Sequence, residues 1–398
     1  MKRGAFGVLC ATGLFAIFSS TISKSPVLPL YMTYLGAGPS AVGLVASVSA
    51  LTGVLFSLPA GVLSDRVGRR RMLILSSVVF ATAPLLYLLV TKPYQFALVR
   101  LYHGLATAIF IPVATALVSE LFHAERGEKI SYFSTMTLAG RFMAPIVGGA
   151  IIASAWFAPG VNFKAVYVVC GAAGAATLVL ALRIPATVRA VGHDRDRAEW
   201  LLSLKALLSN RGILLTSIVE AAILFAYGTF ETFLPLRAIE AGLTPFHAGA
   251  MISAQVVTLA LTKPVMGRFS DRHGRRPQIF LGAVVGAASV FCLSRFGSFF
   301  PLILSSVLFG LSLSVVTSAT SAYIADLSPV ASRGAAMGVL GSVMDIGHTT
   351  GPIVSGLIAA RFGYSYAFAG AAFLLVVIGL VFKVGISSVG EAPKLGRA

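Results

Sequence analysis

The chain has 398 residues, of which 57% are hydrophobic and only 11% charged, with a formal net charge of +17. A soluble domain carries roughly 25% charged residues, so this composition excludes a water-soluble globular protein and leaves a membrane protein. The basic excess does not indicate nucleic acid: with a cytoplasmic amino terminus, 22 of the 31 Lys and Arg fall on the cytoplasmic side, 5 on the outer side and 4 inside helices, which is the positive-inside bias.

A spanning helix needs about 20 mostly apolar residues. Twelve such stretches are predicted, at about 5–34, 40–63, 72–91, 95–120, 130–155, 163–184, 210–239, 246–269, 277–295, 299–324, 333–360 and 364–384. The opening "MKRGAFGVLCATGLFAIF" has the basic start and apolar core of a secretory signal. Its apolar run continues to about Leu35 without a cleavage site, so it reads as a retained first helix. An even number of helices places both termini in the cytoplasm of a multi-pass protein, expected in the inner membrane of a bacterium. Between the sixth and seventh stretches, "RAEWLLSLKALL" reads as an amphipathic helix on the membrane surface. Cys10, Cys170 and Cys292 lie far apart in apolar segments, with neither a disulfide framework nor metal-ligand spacing. No metal and no cofactor are expected, and the absence of a catalytic constellation argues against an enzyme.

Shifting the chain by 206 superposes Pro29 on Pro235, Gly61 on Gly267, Asp65 on Asp271, Arg66 on Arg272, Gly68 on Gly274, Gly104 on Gly310 and Glu120 on Asp326. One constant offset across six helices predicts two parallel repeats, 1–188 and 210–398, joined by a cytoplasmic linker at 189–209.

The repeated loop carries a physical device. In "GVLSDRVGRR" the small Gly61 permits close helix approach, and Asp65 stands at a helix end where it can bond exposed N–H groups while arginines hold it. A bare topology signal is the alternative, weakened by the second copy at Asp271. The stretch resembles the loop motif of the major facilitator superfamily, matched by Gly61, Leu63, Asp65, Arg66, Gly68, Arg69 and Arg70. That resemblance implies a major facilitator fold, an all-α polytopic membrane protein of two pseudo-symmetric six-helix bundles. It also implies a conformational latch of Gly61, Asp65, Arg66, Gly68 and Arg69, repeated in Gly267, Asp271, Arg272, Gly274 and Arg275. Arg333 is then the expected partner of Asp65, and Arg126 or Lys129 that of Asp271.

Three further stretches resemble motifs of the twelve-helix drug:proton antiporters. "SPVLP" contributes Pro26 and Pro29. "LVRLYHGLATA" contributes Arg100 and Gly104, with His103 where that family usually has Gln. "GRFMAPIVGG" contributes Gly140, Pro145, Gly148 and Gly149, with Ala144 in place of a glycine, and "GHTTGPIVSG" repeats the spacing with Gly351 and Pro352. These glycines and prolines are expected to form packing points and hinges.

A charge at the centre of a spanning helix costs about 2.5–3.5 kcal/mol, so each needs a reason. Lys24, Arg100 and Arg141 lie in the first half, and Glu220, Glu231 and Asp345 in the second. Glu220 and Glu231, eleven apart, share one helix face, read here as lining a central cavity. Lys24 is one position from the repeat equivalent of Glu231, which puts the two at similar depth. Asp345 and His348, like Arg100 and His103, are three apart and within mutual reach. Arg100, Arg141 and the two histidines can also be read as structural ties, and Lys263 as a cation snorkelling to the surface.

At least one of Glu220, Glu231 and Asp345 is expected to carry a proton during transport, with Arg100, His103 and His348 assisting. Lys24, Arg100, Arg141, Glu231 and Asp345 are the expected substrate contacts. The resemblance implies a proton-coupled exporter of small amphipathic, drug-like molecules working by alternating access. The opposed basic and acidic walls suit one zwitterionic or anionic metabolite, such as a metallophore, a sugar or a lipid-derived molecule, at least as well. The expected partners are a small-molecule substrate, protons and membrane lipids, with no nucleic acid, and the protein is expected to be a monomer.

Overall fold

The computed structural model describes residues 2–122, 125–155, 158–185, 210–329 and 333–387; the predicted amphipathic segment lies outside them. Among the described residues there are thirteen helices and no strands. The first lobe comprises α1 (Lys2–Ile22), α2 (Val27–Tyr34), α3 (Pro39–Val67), α4 (Arg69–Leu88), α5 (Pro93–Leu121), α6 (Arg126–Ala153) and α7 (Pro159–Leu182). The second comprises α8 (Arg211–Glu240), α9 (Pro245–His273), α10 (Arg275–Arg295), α11 (Phe299–Leu327), α12 (Arg333–Phe362) and α13 (Tyr364–Ser387).

Eleven segments, with Gly4–Tyr34 counted as one, are long and apolar enough to cross a membrane. The helix α12 is not among them, although its 30 residues, about 45 Å, are long enough to cross. The helix ends shift by a few residues from the expected ranges, and the first stretch is two helices, because a turn at Ser23 to Pro26 interrupts it, as expected where proline cannot donate to the preceding turn. Elsewhere local chemistry sets the ends. The Asn210 side chain caps α8 by accepting from the backbone N–H groups of Gly212 and Ile213. Gly68 and Gly274 end α3 and α9 with φ of +104° and +91°, values that a side chain would resist.

The repeat is visible in the helix bounds, since α3 and α5 coincide with α9 and α11 when displaced by 206. Within the first lobe α1 packs on α6 and α7, α3 on α5, and α4 on α7. The second lobe repeats the pattern with α8 on α12 and α13, α9 on α11, and α10 on α13. The lobes meet chiefly where α3 crosses α12 and α6 crosses α9.

Those crossings are made by backbone. A Cβ at Gly43 would stand 2.1 Å from the Pro352 carbonyl oxygen, and one at Gly249, its repeat equivalent, 2.1 Å from that of Pro145. At Gly149 it would stand 2.5 Å from the Pro245 carbonyl oxygen. Every one of these contacts lies toward the end where α3 and α9 begin. Toward the opposite, arginine-rich end the seam opens. There a Cβ at Gly53, Gly61, Gly267 or Gly338 would meet nothing within 4 Å, and Leu55, Phe56, Met136, Val265 and Met337 are exposed. The close helix approach expected at Gly61 and Gly267 is therefore not made, because the lobes are parted at that end.

At the closed end, Leu30, Thr33, Tyr34, Ile152, Phe163, Leu236, Ile239, Pro245 and Tyr364 line an apolar groove of about 350 Å³ shared by both lobes. Gly249→Ala must force the closed seam apart at about 1–3 kcal/mol, the usual penalty of overpacking. Spin labels at Tyr34 and Ile239, one on each wall of this groove, should report a longer distance in a larger fraction of molecules; an unchanged distance distribution would contradict the seam described here.

Candidate functional site

The turn between α1 and α2 frees Lys24 from helical packing and points it across the seam. Its Nζ donates to Glu231 Oε2 on α8 at 2.5 Å, with the side chains 20% and 8% exposed. His348 on α12 reaches the same oxygen through Nε2 at 3.3 Å, and its ring lies 5.3 Å from that of Tyr227. Ser25, the repeat equivalent of Glu231, donates through Oγ to the Glu231 backbone carbonyl at 3.4 Å. Two residues related by a pseudo-two-fold operation touch only near its axis. The one ion pair found between the lobes among the described residues thus sits at their centre of symmetry, with one carboxylate held from both sides.

Around this pair the charges are mostly positive. Arg141 is exposed on α6 and, like Arg100, lies within electrostatic reach of Lys24. Arg100 is 2% exposed; its Nη1 donates to Ser23 Oγ at 3.3 Å, and no carboxylate among the described residues pairs with it. His103, one turn further along α5, is buried beside it.

Several expected arrangements are not found. Glu220 does not line the gap between the lobes: it is fully buried, and its Oε2 accepts from Thr320 Oγ1 on α11 at 2.5 Å. It shares a helix face with Glu231, but nearer the arginine-rich end α11 covers that face. His348 turns to Glu231 rather than to Asp345. The half-buried Asp345 has no ion pair among the described residues. Lys263 accepts through its backbone carbonyl from Ser318 Oγ at 3.3 Å.

The latch residues also pair differently. Asp65 bonds Arg69, whose Nε donates to Glu120 Oε1 at 2.9 Å and whose Nη1 donates to Ser64 Oγ. In the repeat Arg275 meets Asp271 at 2.6 Å, Asp326 at 3.0 Å and Ser270 Oγ at 3.1 Å. Arg333 donates instead to the Ala325 carbonyl at 3.2 Å, and Lys129 pairs with Glu125 and Glu128. The expected bridges from Asp65 to Arg333, and from Asp271 to Arg126 or Lys129, are therefore not made. With the lobes parted at this end, each acid takes the arginine four residues along its own chain. Arg66 and Arg272 are exposed at the same end.

Of the residues with hinge assignments, Pro26 ends the turn beside Lys24. Pro29 is buried in α2. Gly140 packs on the backbone of α1 at Leu14 and Gly148 on Ile22, while Gly351 packs on the backbone of α8 at Phe225. Pro145, Gly149 and Pro352 belong to the closed seam. Sequence reasoning missed Ser64 and Ser270, although their offset of 206 is the repeat's own, and it missed Thr320, Ser23, Tyr87 and Tyr167, which nothing in the local pattern singles out.

The family model of the Major Facilitator Superfamily matches residues 8–254 and 216–396. The chain is 22% identical over 377 residues to multidrug resistance protein 2 of Bacillus subtilis, covering 94% of this chain and 93% of that one. It is 25% identical over 367 residues to the multi-drug resistance efflux pump PmrA of Streptococcus pneumoniae, covering 89% and 90%. Among solved structures, the nucleoside transporter NupG superposes with a TM-score of 0.80 at 16% identity, covering 96% of this chain and 99% of that one. A bacterial homologue of the human lysosomal transporter Spinster, inward-facing and occupied, gives 0.83 at 15%, covering 97% of each.

Removing one partner of a buried ion pair costs about 3–5 kcal/mol because the other is left charged and unpaired, and the partial exposure of Lys24 sets the expectation at about 3 kcal/mol. Lys24→Gln and Glu231→Gln should each lower the thermal midpoint of the purified protein, and the double substitution should lower it by less than the two single losses combined. Additive losses would show that the two groups do not hold each other.

Proposed function

The chain belongs to the major facilitator superfamily, and from that premise we propose that it is a proton-coupled exporter of small amphipathic molecules, working by alternating access. The two lobes, residues 1–188 and 210–398, are the bodies that rock. The arginine-rich end is read as cytoplasmic by the positive-inside rule, which puts both termini there, in a bacterial inner membrane, and makes the described conformation open to the cytoplasm.

One observation carries this reading. Glu231 is held at once by Lys24 of the first lobe and His348 of the second, at the apex of the gap. A carboxylate in that position links protonation to the relation between the lobes, because adding a proton removes the charge that Lys24 is holding. Substrate and proton then favour opposite openings, and that differential affinity converts a gradient into transport. Asp345, half-buried and without an ion pair among the described residues, is the second candidate carrier, and buried Glu220 the third. Arg100, His103 and His348 are the groups that tune them. Asp65 and Asp271 serve as latch acids, proposed to change partner when the arginine-rich end closes. The relatives named as multidrug proteins supply the substrate class. The protein is taken to act as a monomer among membrane lipids, on a small-molecule substrate and without nucleic acid.

A specific observation favours a second reading of the cargo. Lys24 pairs with the one interlobe acid among the described residues, Glu231, while two further cations, Arg100 and Arg141, lie within electrostatic reach of Lys24, an excess of positive charge that suits an anionic or zwitterionic metabolite.

In vesicles containing the purified protein, an imposed pH gradient should drive accumulation of a fluorescent lipophilic cation, and Glu231→Gln or Asp345→Asn should abolish that dependence. Wild-type flux indifferent to the gradient would replace the exporter with a facilitator. Lys24→Ala and Glu231→Ala impairing a zwitterion more than the lipophilic cation would support the second reading, and equal losses would remove it.

A further inference from the structure

In the first lobe Arg100 and His103 sit in one cluster with Tyr87 and Tyr167. Four buried polar atoms there lack a well-formed hydrogen bond among the described residues: Arg100 Nε, the Tyr87 hydroxyl, which the Arg100 guanidinium approaches without satisfying its O–H, and both ring nitrogens of His103. They lie together. The Tyr87 and His103 rings are 5.9 Å apart, Tyr87 stacks on Tyr167 at 4.4 Å, and Arg100 is within electrostatic reach of all three. Arg100 has one well-formed hydrogen bond, to Ser23 Oγ, and a looser approach to the Tyr87 hydroxyl oxygen, out of the five that a guanidinium can donate.

The deficit is one of charge as well as hydrogen bonds. A guanidinium does not give up its proton, and a buried ion without a counter-ion carries a penalty of several kcal/mol. Water can satisfy the donors but cannot neutralise the charge. Glu231 is already engaged by Lys24 and His348, and the neighbouring Lys24 has the same sign as Arg100.

The fold itself does not require these groups. At the repeat-equivalent places, 206 residues on, the second lobe holds Leu293, Ser306 and Phe309. There Phe309 packs against Phe230 at 5.2 Å between ring centres. The same architecture is thus built once with an uncharged filling whose single hydroxyl, on Ser306, is satisfied by the Leu302 carbonyl of its own helix, and once with three hydrogen-bond donors, one of them charged.

We propose that Arg100, Tyr87 and His103, with Ser23 beside them, form a binding site for one small monovalent anion, either a halide ion such as chloride or the carboxylate of a solute. The Arg100 and Tyr87 groups donate, and His103 donates from whichever ring nitrogen carries its proton. Tyr167 stacked on Tyr87 and Phe80 at 5.7 Å from His103 enclose these donors on their apolar sides. Access is from the gap, past Lys24, the residue next to Ser23. An anion there offers Lys24 a second negative neighbour and so competes with Glu231 for it. This inference concerns binding to the first lobe and does not rest on the direction or coupling of transport.

The test uses the full chain purified in detergent. Its thermal midpoint is measured against increasing sodium chloride or sodium acetate, with bulky sodium methanesulfonate keeping the ionic strength constant. A saturable rise, following the mass-action stabilisation that a ligand of the folded state confers, is expected in chloride, in acetate or in both. A response to chloride identifies an inorganic ion as sufficient, whereas a response to acetate alone identifies a solute carboxylate. Arg100→Gln should abolish the rise. Tyr87→Phe, which keeps the ring stack and so preserves the fold even if Arg100→Gln does not, should raise the half-saturating concentration on the order of ten- to a hundredfold, the worth of one hydrogen bond to a charged group. Equal midpoints in all three salts, or an unchanged curve in Tyr87→Phe, would overturn the proposal.

Discussion

The cost of charge in a medium that cannot solvate it governs this molecule. A chain that spends only 11% of its residues on charged side chains places one ion pair among the described residues, Lys24 with Glu231, where its two lobes meet. Neither group can leave the other without a replacement. The seam is consequently more than a surface of apolar contact: one carboxylate is shared among a lysine of one lobe and a histidine of the other, and any rearrangement of the lobes has to settle where that charge goes.

The pseudo-symmetry explains why the pair lies there. When two copies of one architecture face each other, the residues nearest the axis are the ones that meet their own equivalents, as Ser25 meets Glu231. Away from the axis the copies have diverged in chemistry while keeping their geometry. Both retain the arginine clasp, with Arg69 and Arg275 each gripping two acids and a serine inside a single lobe. The mid-membrane polar groups are not retained: the first lobe is basic where the second is neutral or acidic.

Much of this was legible in the sequence because it follows from period and offset. The twelve stretches, the repeat and the matched depth of Lys24 and Glu231 all derive from helical spacing and the shift of 206. What was not legible depends on packing between elements. Nothing local to Glu220 says that α11 covers its face of α8, and nothing near Asp65 says whether the opposite lobe is close enough to offer Arg333. A partner that depends on which end of the seam is open belongs to a conformation, and one sequence serves several. The break at Pro26 could have been read from the proline. The cluster around Arg100 gave a single clue, a histidine where the resembled family usually has glutamine.

The closed seam is written in main chain: glycine against carbonyl oxygen at Gly43 and Pro352, and again at Gly249 and Pro145. Such a joint makes no demand on the size or polarity of side chains elsewhere. Mutational drift along the walls of the gap can therefore exchange one cargo for another while the hinge keeps its shape, and the selective constraint falls instead on a few positions where even a methyl group is too large.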